Sequence, residues 1–411
     1  MLPVERLKFP IEPLVKQMLD QLPAEVWTSK KSTFLDPAMA GGQFLVEIER
    51  RLRAAGHSDK NISERVWGCE TNILRVNYAR NNKKLVAKNL FVSNFLDYNW
   101  GTMKFDVILG NPPYQSSDSS LNLWPLFVEK SFDMLKPNGF LGMVTPATWM
   151  RPSNDIKRSK KEGGSRQIFA DFMQPYQTKM VDCGTAKKYF SVGSTITWYV
   201  IQNKAADTKT TIVDHTGLTT QVDLRNFGVF PLSADVLTIE IFERLQAPGD
   251  KFNFKGIRGA GREDLEHQAK KNREYRYLYV GGQYSQKNFN QDLGCVAWWS
   301  RVPHPDFSRP KIIINYIGDI HPYVDDGNAG MQYCQVHFLD NKKQAASASS
   351  VVNSKLWRYA YKFVRFGMHN EAGVLNSFGI PPLDRVYTDQ DLYQFYGLAQ
   401  HHIEKIEKFF G

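Results

Sequence analysis

The chain has 411 residues, with 52 Lys and Arg against 42 Asp and Glu and a formal net charge of +10. Its 42% apolar and 23% charged residues are enough for more than one core, which excludes global disorder and favours two or three domains. The basic surplus favours a polyanionic partner such as nucleic acid over a small neutral ligand alone. No apolar run is long enough for a membrane-spanning helix. Glu5, Arg6 and Lys8 stand where an export signal needs apolar residues, so none is expected. Cys69, Cys183, Cys295 and Cys334 are dispersed, with no C-x-x-C pair, which suits a reducing cytoplasm rather than a disulfide framework or a zinc ribbon.

In chain order, the first half alternates strand and helix. Apolar runs at TFLDP (33–37), RVWGCE (65–70), NLFVS (89–93), FDVILGN (105–111) and FLGMVTP (140–146) read as buried strands. Between them, 43–56 places Phe44, Leu45, Ile48 and Leu52 at helical spacing, with Gly56 as a stop. Segment 121–135 does the same with Leu123, Phe127 and Leu135. Strands separated by helices predict parallel pairing with crossovers, a doubly wound α/β sheet whose ligands sit at the carboxyl ends of the strands. Near residue 205 the texture changes: TKTTIVDHT (208–216) and TTQVDL (219–224) alternate like exposed strands. The polar segment 204–209 is the expected boundary, giving domains 1–205 and 206–411, the second a mixed α+β domain. The adjacent His401 and His402 are read as solvated in a charged helical tail, and no histidine or cysteine spacing predicts a metal site.

Three segments carry the chemistry. Asn111-Pro112-Pro113-Tyr114 follows an apolar strand directly. Two prolines fix φ and remove two backbone donors, leaving a rigid loop with free carbonyls, an amide side chain and an aromatic ring. Those are the parts needed to hold a planar group bearing an NH₂. Upstream, Asp36 ends a strand and opens the small-residue loop Pro37-Ala38-Met39-Ala40-Gly41-Gly42, where a ligand can approach backbone closely. Glu70 ends the next strand, and an acid there can accept both hydroxyls of a ribose. Each feature alone has a plain structural reading as a turn or a strand end. Their order and spacing make a nucleoside site.

In this order the segments resemble the S-adenosylmethionine-dependent DNA adenine-N6 methyltransferases of the N-P-P-Y amino-methyltransferase family, in the gamma-type arrangement with the cofactor half first. The resemblance covers roughly residues 9–203 and, more faintly, 310–383, where Leu375-Asn376-Ser377 and Pro381-Pro382-Leu383 are similar to a late motif of the recognition half. It implies a Rossmann-like methyltransferase sheet (1–205) and a C-terminal target-recognition domain (206–411). It implies S-adenosylmethionine as cofactor, no metal, and double-stranded DNA as partner in a prokaryotic or phage-infected cytoplasm. A cognate restriction endonuclease would be encoded separately, and a monomer suffices. Catalysis falls to Asn111, Pro112, Pro113 and Tyr114, and cofactor binding to Asp36, Ala38, Ala40, Gly42, Glu70, Asn94 and Asn111. Asp97 is a second candidate beside Asn94 for the cofactor's adenine ring. Tyr114 and Phe190 would sandwich a flipped-out base.

In the implied mechanism the Asn111 side chain and the Pro112 carbonyl accept the two amine hydrogens. That draws the nitrogen toward tetrahedral geometry and frees its lone pair. Met39-Ala40 departs from the family's usual Cys-Gly, placing Ala where φ > 0 is costly. Basic segments 151–166 (with Arg151, Lys157, Arg158, Lys160 and Lys161) and 255–276 (with Arg258 and Arg262) are expected to meet the phosphate backbone. The alternatives are RNA adenine or protein-glutamine methylation, or a non-catalytic specificity subunit. Intact Asp36, Glu70 and Asn111–Tyr114 argue against the last.

Overall fold

A computed structural model describes residues 12–116, 122–150, 168–191, 193–232, 234–247, 249–257, 274–279, 289–290, 295–316, 318–364 and 370–411. Five strands fall on the five apolar runs: β1 (Phe34–Asp36), β2 (Val66–Glu70), β3 (Asn89–Val92), β4 (Phe105–Gly110) and β5 (Leu135–Pro146). All pair in parallel in the order β3-β2-β1-β4-β5. Six helices accompany them: α1 (Glu12–Leu19), α2 (Ala24–Thr28), α3 (Gln43–Ala54), α4 (Asp59–Arg65), α5 (Ile73–Asn81) and α6 (Trp124–Asp133). α3 buries Phe44, Leu45, Ile48 and Leu52, the face its spacing predicts. Leu135, read as the end of a helix, instead opens β5.

The sheet continues past β5. β7 (Ile196–Ala205) runs antiparallel to β5 and to β6 (Tyr176–Asp182), and β8 (Thr210–Val213) pairs parallel to β6 and antiparallel to β9 (Thr219–Val222). The full order is β3-β2-β1-β4-β5-β7-β6-β8-β9. The parallel half is doubly wound as expected, and the far half is mixed. The boundary expected near 205 lies twenty residues too early. β8 and β9 belong to the first sheet, and the chain divides into compact units after Arg225. Segment 204–209 includes a tight connection within one sheet, and a short polar turn looks the same there as between domains.

Chain leaving β1 turns toward β2 on one side, and chain leaving β4 turns toward β5 on the other. The carboxyl ends of β1 and β4 therefore flank a topological switch point, where loops part and leave a crevice.

The second unit is mixed α+β. One antiparallel sheet orders Lys255–Ile257, Cys334–Phe338, Pro310–Asn315 and Pro322–Asp326, and a second, mixed sheet is built on Tyr275–Tyr279 and Cys295–Ser300. Ile312, Ile313 and Ile314 are fully buried, as is Trp357 in the helix Lys355–Val364. Asn376, from the faint late motif, has a structural job: its Oδ1 accepts the Phe254 N–H at 2.6 Å and its Nδ2 donates to the Phe254 carbonyl at 3.0 Å. Among the described residues no helix is long and apolar enough to cross a membrane.

Candidate active site

Asp36 ends β1 and is 1% exposed. Its Oδ1 accepts the Ala38 N–H at 3.0 Å. The loop is then stitched to β2 by Met39 N–H to the Cys69 carbonyl (2.9 Å) and closed by Gly42 N–H to the Met39 carbonyl (2.7 Å). Ala40 sits at φ +44° and Gly42 at φ +84°. Ala40 is therefore strained, in the left-handed region that favours glycine. Met39 fits because Gly68 in β2 has no side chain; a Cβ there would lie 2.5 Å from Met39 Sδ. An Ala40→Gly protein is expected to be about 0.5–1 kcal/mol more stable, the relief of left-handed strain less the entropy glycine adds to the unfolded chain. A higher denaturant midpoint at constant m value would show it.

Glu70 ends β2, one strand over from Asp36. Its Oε1 accepts the Asn72 N–H (2.9 Å) and the Thr71 hydroxyl (3.2 Å), while Oε2 faces Arg75 Nη1 at 3.5 Å. One oxygen is thus pinned by the loop and the other is held loosely. Burial first, then the Ala38 N–H acting against it and Glu70 adding to it, push the Asp36 carboxyl up to about 8. Burial, with Asp36 and Glu70 nearby, pushes the Cys69 thiol up to about 12, so it stays a neutral wall group. After β3, Asn94 Nδ2 donates to Asp97 Oδ2 (2.6 Å) and Asn94 Oδ1 accepts the Leu96 N–H (3.1 Å). Of the two candidates for the adenine contact, Asn94 lines the crevice and Asp97 serves as its partner.

That crevice has a volume of about 500 Å³ and is lined by Ala38, Ala40, Glu70, Asn94, Asn111 and Pro113, among others. Of the residues expected from the sequence it brings these six together, whereas Asp36, Gly42, Pro112 and Tyr114 are not part of its lining. Asn111 Oδ1 is buried and accepts no hydrogen bond from the described residues. Such an atom is costly unless a ligand donates to it. Gly110, which sequence reasoning passed over, lets the two loops meet: a Cβ there would lie 3.0 Å from Asp36 Oδ1 and 3.1 Å from Pro37 Cδ. Pro112 is buried and Pro113 exposed. Tyr114 and Phe190 are partly buried against the same apolar cluster of the first unit. The Tyr114 hydroxyl is buried without a partner among the described residues, and burial holds its pKa above the ordinary tyrosine value.

Arg151, Lys157, Arg158, Lys160, Lys161, Arg258 and Arg262 lie outside the described residues. His402 corrects the expectation of a solvated pair. It is 2% exposed, its Nδ1 accepts the Ala399 N–H at 3.2 Å, and its Nε2 lies 3.1 Å from Glu240 Oε2. His401, which is exposed, and Glu240 bring three ligand atoms within 4.8 Å of one another. The Ala399 bond leaves the ring proton on Nε2, facing Glu240, so that nitrogen is not offered to a cation.

The sheet, the acids ending β1 and β2 and the N-P-P-Y loop ending β4 place the first unit in the Rossmann-like, doubly wound α/β class. Residues 26–162 match the Eco57I restriction-modification methylase family. Over 70 residues the chain is 43% identical to a Mycoplasma pneumoniae protein named as an uncharacterized adenine-specific methylase, covering 15% of this chain and 16% of that one. Among solved structures, a type I restriction-modification methyltransferase subunit from Streptococcus thermophilus is 19% identical (TM-score 0.39), over 50% of this chain and 46% of that one. The type IIG restriction endonuclease BpuSI is 10% identical (TM-score 0.44), over 95% of this chain and 60% of that one. The chain therefore spans about a sixth of the curated relative, just under half of the first solved chain and three fifths of the second.

Proposed function

We propose that the chain methylates the exocyclic N6 amine of adenine in duplex DNA, using S-adenosylmethionine, with the first unit carrying the chemistry and the second the target recognition. The observation that carries this reading is Asn111 Oδ1, a buried acceptor without a donor among the described residues, just past the end of β4 and beside a crevice that Glu70 at the end of β2 also lines. The family match over residues 26–162 and the methylase relative support the reaction class and the adenine target. The restriction-modification family also supports DNA as substrate and a restriction activity as its counterpart.

The crevice fits the cofactor's chemistry. Glu70, with Oε2 held only loosely, suits the ribose hydroxyls, and Asp36, buried beside it, suits a positive centre. When bound, S-adenosylmethionine supplies an electrophilic methyl group on a sulfonium. The protein's own part is to present the amine: Asn111 Oδ1 and the Pro112 carbonyl accept its hydrogens and withdraw its lone pair from conjugation with the ring. Catalysis by such fixed acceptors is positioning and preorganised dipoles. A stacked base cannot reach this crevice, so the adenine must leave the duplex, with Tyr114 and Phe190 as its proposed walls.

Expression in a methylation-free host, followed by mapping of modified bases, tests the reading. N6-methyladenine recurring in one sequence context is expected. Unmodified DNA alongside methylated RNA or methylated protein glutamine would overturn it.

A further inference from the structure

Between β3 and β4, residues 93–98 belong to no helix or strand, yet Asn94, Phe95 and Leu96 form one wall of the crevice. The shape of this wall comes from individual bonds. Within the segment, Asp97 and Tyr98 N–H donate to the Asn94 carbonyl (3.2 and 2.9 Å). The Trp100 indole donates to the Phe95 carbonyl at 3.2 Å. From outside, α6 reaches over with two side chains one turn apart. The Phe127 ring stacks on Phe95 (centroids 5.2 Å apart, planes at 28°). Lys130 Nζ donates to the Leu96 carbonyl at 2.7 Å and the Tyr98 carbonyl at 3.1 Å, and lies 5.3 Å over the Phe95 ring.

The same helix is tied to the catalytic loop. At its entrance the Leu123 N–H donates to the Tyr114 carbonyl at 3.1 Å. One helix thus touches both the loop that presents Asn111 and the Asn94–Leu96 wall of the same crevice.

We propose that Lys130 is a positioning residue for the reaction: its ammonium, clamped on two loop carbonyls, holds the Asn94–Leu96 wall at the spacing that a nucleoside needs. The inference rests on reading this crevice as the cofactor site. A neutral side chain of similar length keeps the packing against Phe95 but loses both charge-assisted bonds, each stronger than a neutral one. The wall then samples wider positions, and binding bears the cost of ordering it. Chemistry at Asn111 is untouched once the ligand is seated. Lys130 therefore acts on affinity more than on turnover.

The test is calorimetric titration of the full chain with S-adenosylmethionine and, separately, with adenosine, for wild type, Lys130→Met and Lys130→Arg. Lys130→Met is expected to weaken both ligands about tenfold, the scale of one lost charge-assisted contact. Turnover at saturating cofactor should change by less than about threefold, and Lys130→Arg should recover most of the affinity because its donors still reach carbonyls. Unchanged affinities in Lys130→Met, or a fall in turnover at constant KM, would overturn the positioning role while leaving the cofactor site standing. A wild-type protein that binds neither ligand would overturn the cofactor site, and this role with it.

Discussion

Replacing Asn111 with alanine is expected to lower methyl transfer by about 10²–10³-fold, the usual cost of removing one preorganised hydrogen-bonding group from a reacting centre. Cofactor affinity should stay within about threefold, because the acidic ends of β1 and β2 remain in place. The residue does no evident structural work through Oδ1, which is buried and accepts nothing from the described residues. Loss of an unsatisfied acceptor should leave folding unharmed, so the melting temperature separates a catalytic loss from a structural one. Single-turnover rates of wild type and Asn111→Ala on duplex DNA, measured beside cofactor titrations, check the split. Near-normal turnover in the variant would mean that the amine is held elsewhere. Asn111→Asp makes a useful companion, since it preserves the acceptor's position and adds a charge.

The parallel half of the sheet was legible because its inner strands are buried on both faces and read as apolar runs. FDVILGN becomes β4 over Phe105–Gly110, with Val107, Ile108 and Leu109 fully buried. The N-P-P-Y loop was legible for another reason: prolines and a strand end constrain a loop whatever surrounds it. What stayed hidden depends on partners distant in sequence. The alternation of 208–224 announces strands but cannot say which sheet they join, and the parallel pairing of Met180, Val181 and Asp182 with Thr211, Ile212 and Val213 settles it. α5 escaped notice because its apolar residues do not gather on one face: Ile73 and Leu74 are exposed, whereas Val76 and Ala79 are buried. Gly110 reads as the end of a strand until Asp36 arrives beside it from 74 positions earlier. His402 looks like any histidine of a charged tail until Glu240 faces it from another helix. Lys130 likewise gives no sign in a helical segment that its ammonium serves carbonyls more than thirty residues upstream.

The affinity for S-adenosylmethionine, a cationic ligand, is expected to rise with pH up to about 8 and then level off, and Asp36 is the reason. Burial raises this carboxyl to about 8 in the ligand-free protein, against the usual 3.8, with the Ala38 N–H opposing and Glu70 reinforcing the shift. At neutral pH the side chain is therefore mostly protonated. A positive centre placed beside it favours the carboxylate, so binding releases a proton, and affinity grows by up to about tenfold for each pH unit below 8. The stability of the ligand-free protein runs the other way. The folded state binds this proton more tightly than the unfolded chain does, so the stabilising contribution is complete below pH 3.8 and is lost as pH climbs through 8. Asp36→Asn keeps the shape, and the amide can still accept the Ala38 N–H, but the titration is gone. The variant should bind the cofactor more weakly above pH 7, with an affinity nearly flat between pH 6 and 9, and it should lose less stability than wild type over the same range. Comparing the two proteins cancels histidines and other groups that titrate in this window. Titrations at pH 6, 7, 8 and 9 giving equal slopes for wild type and Asp36→Asn would place the proton release elsewhere and remove Asp36 from the charge side of the site.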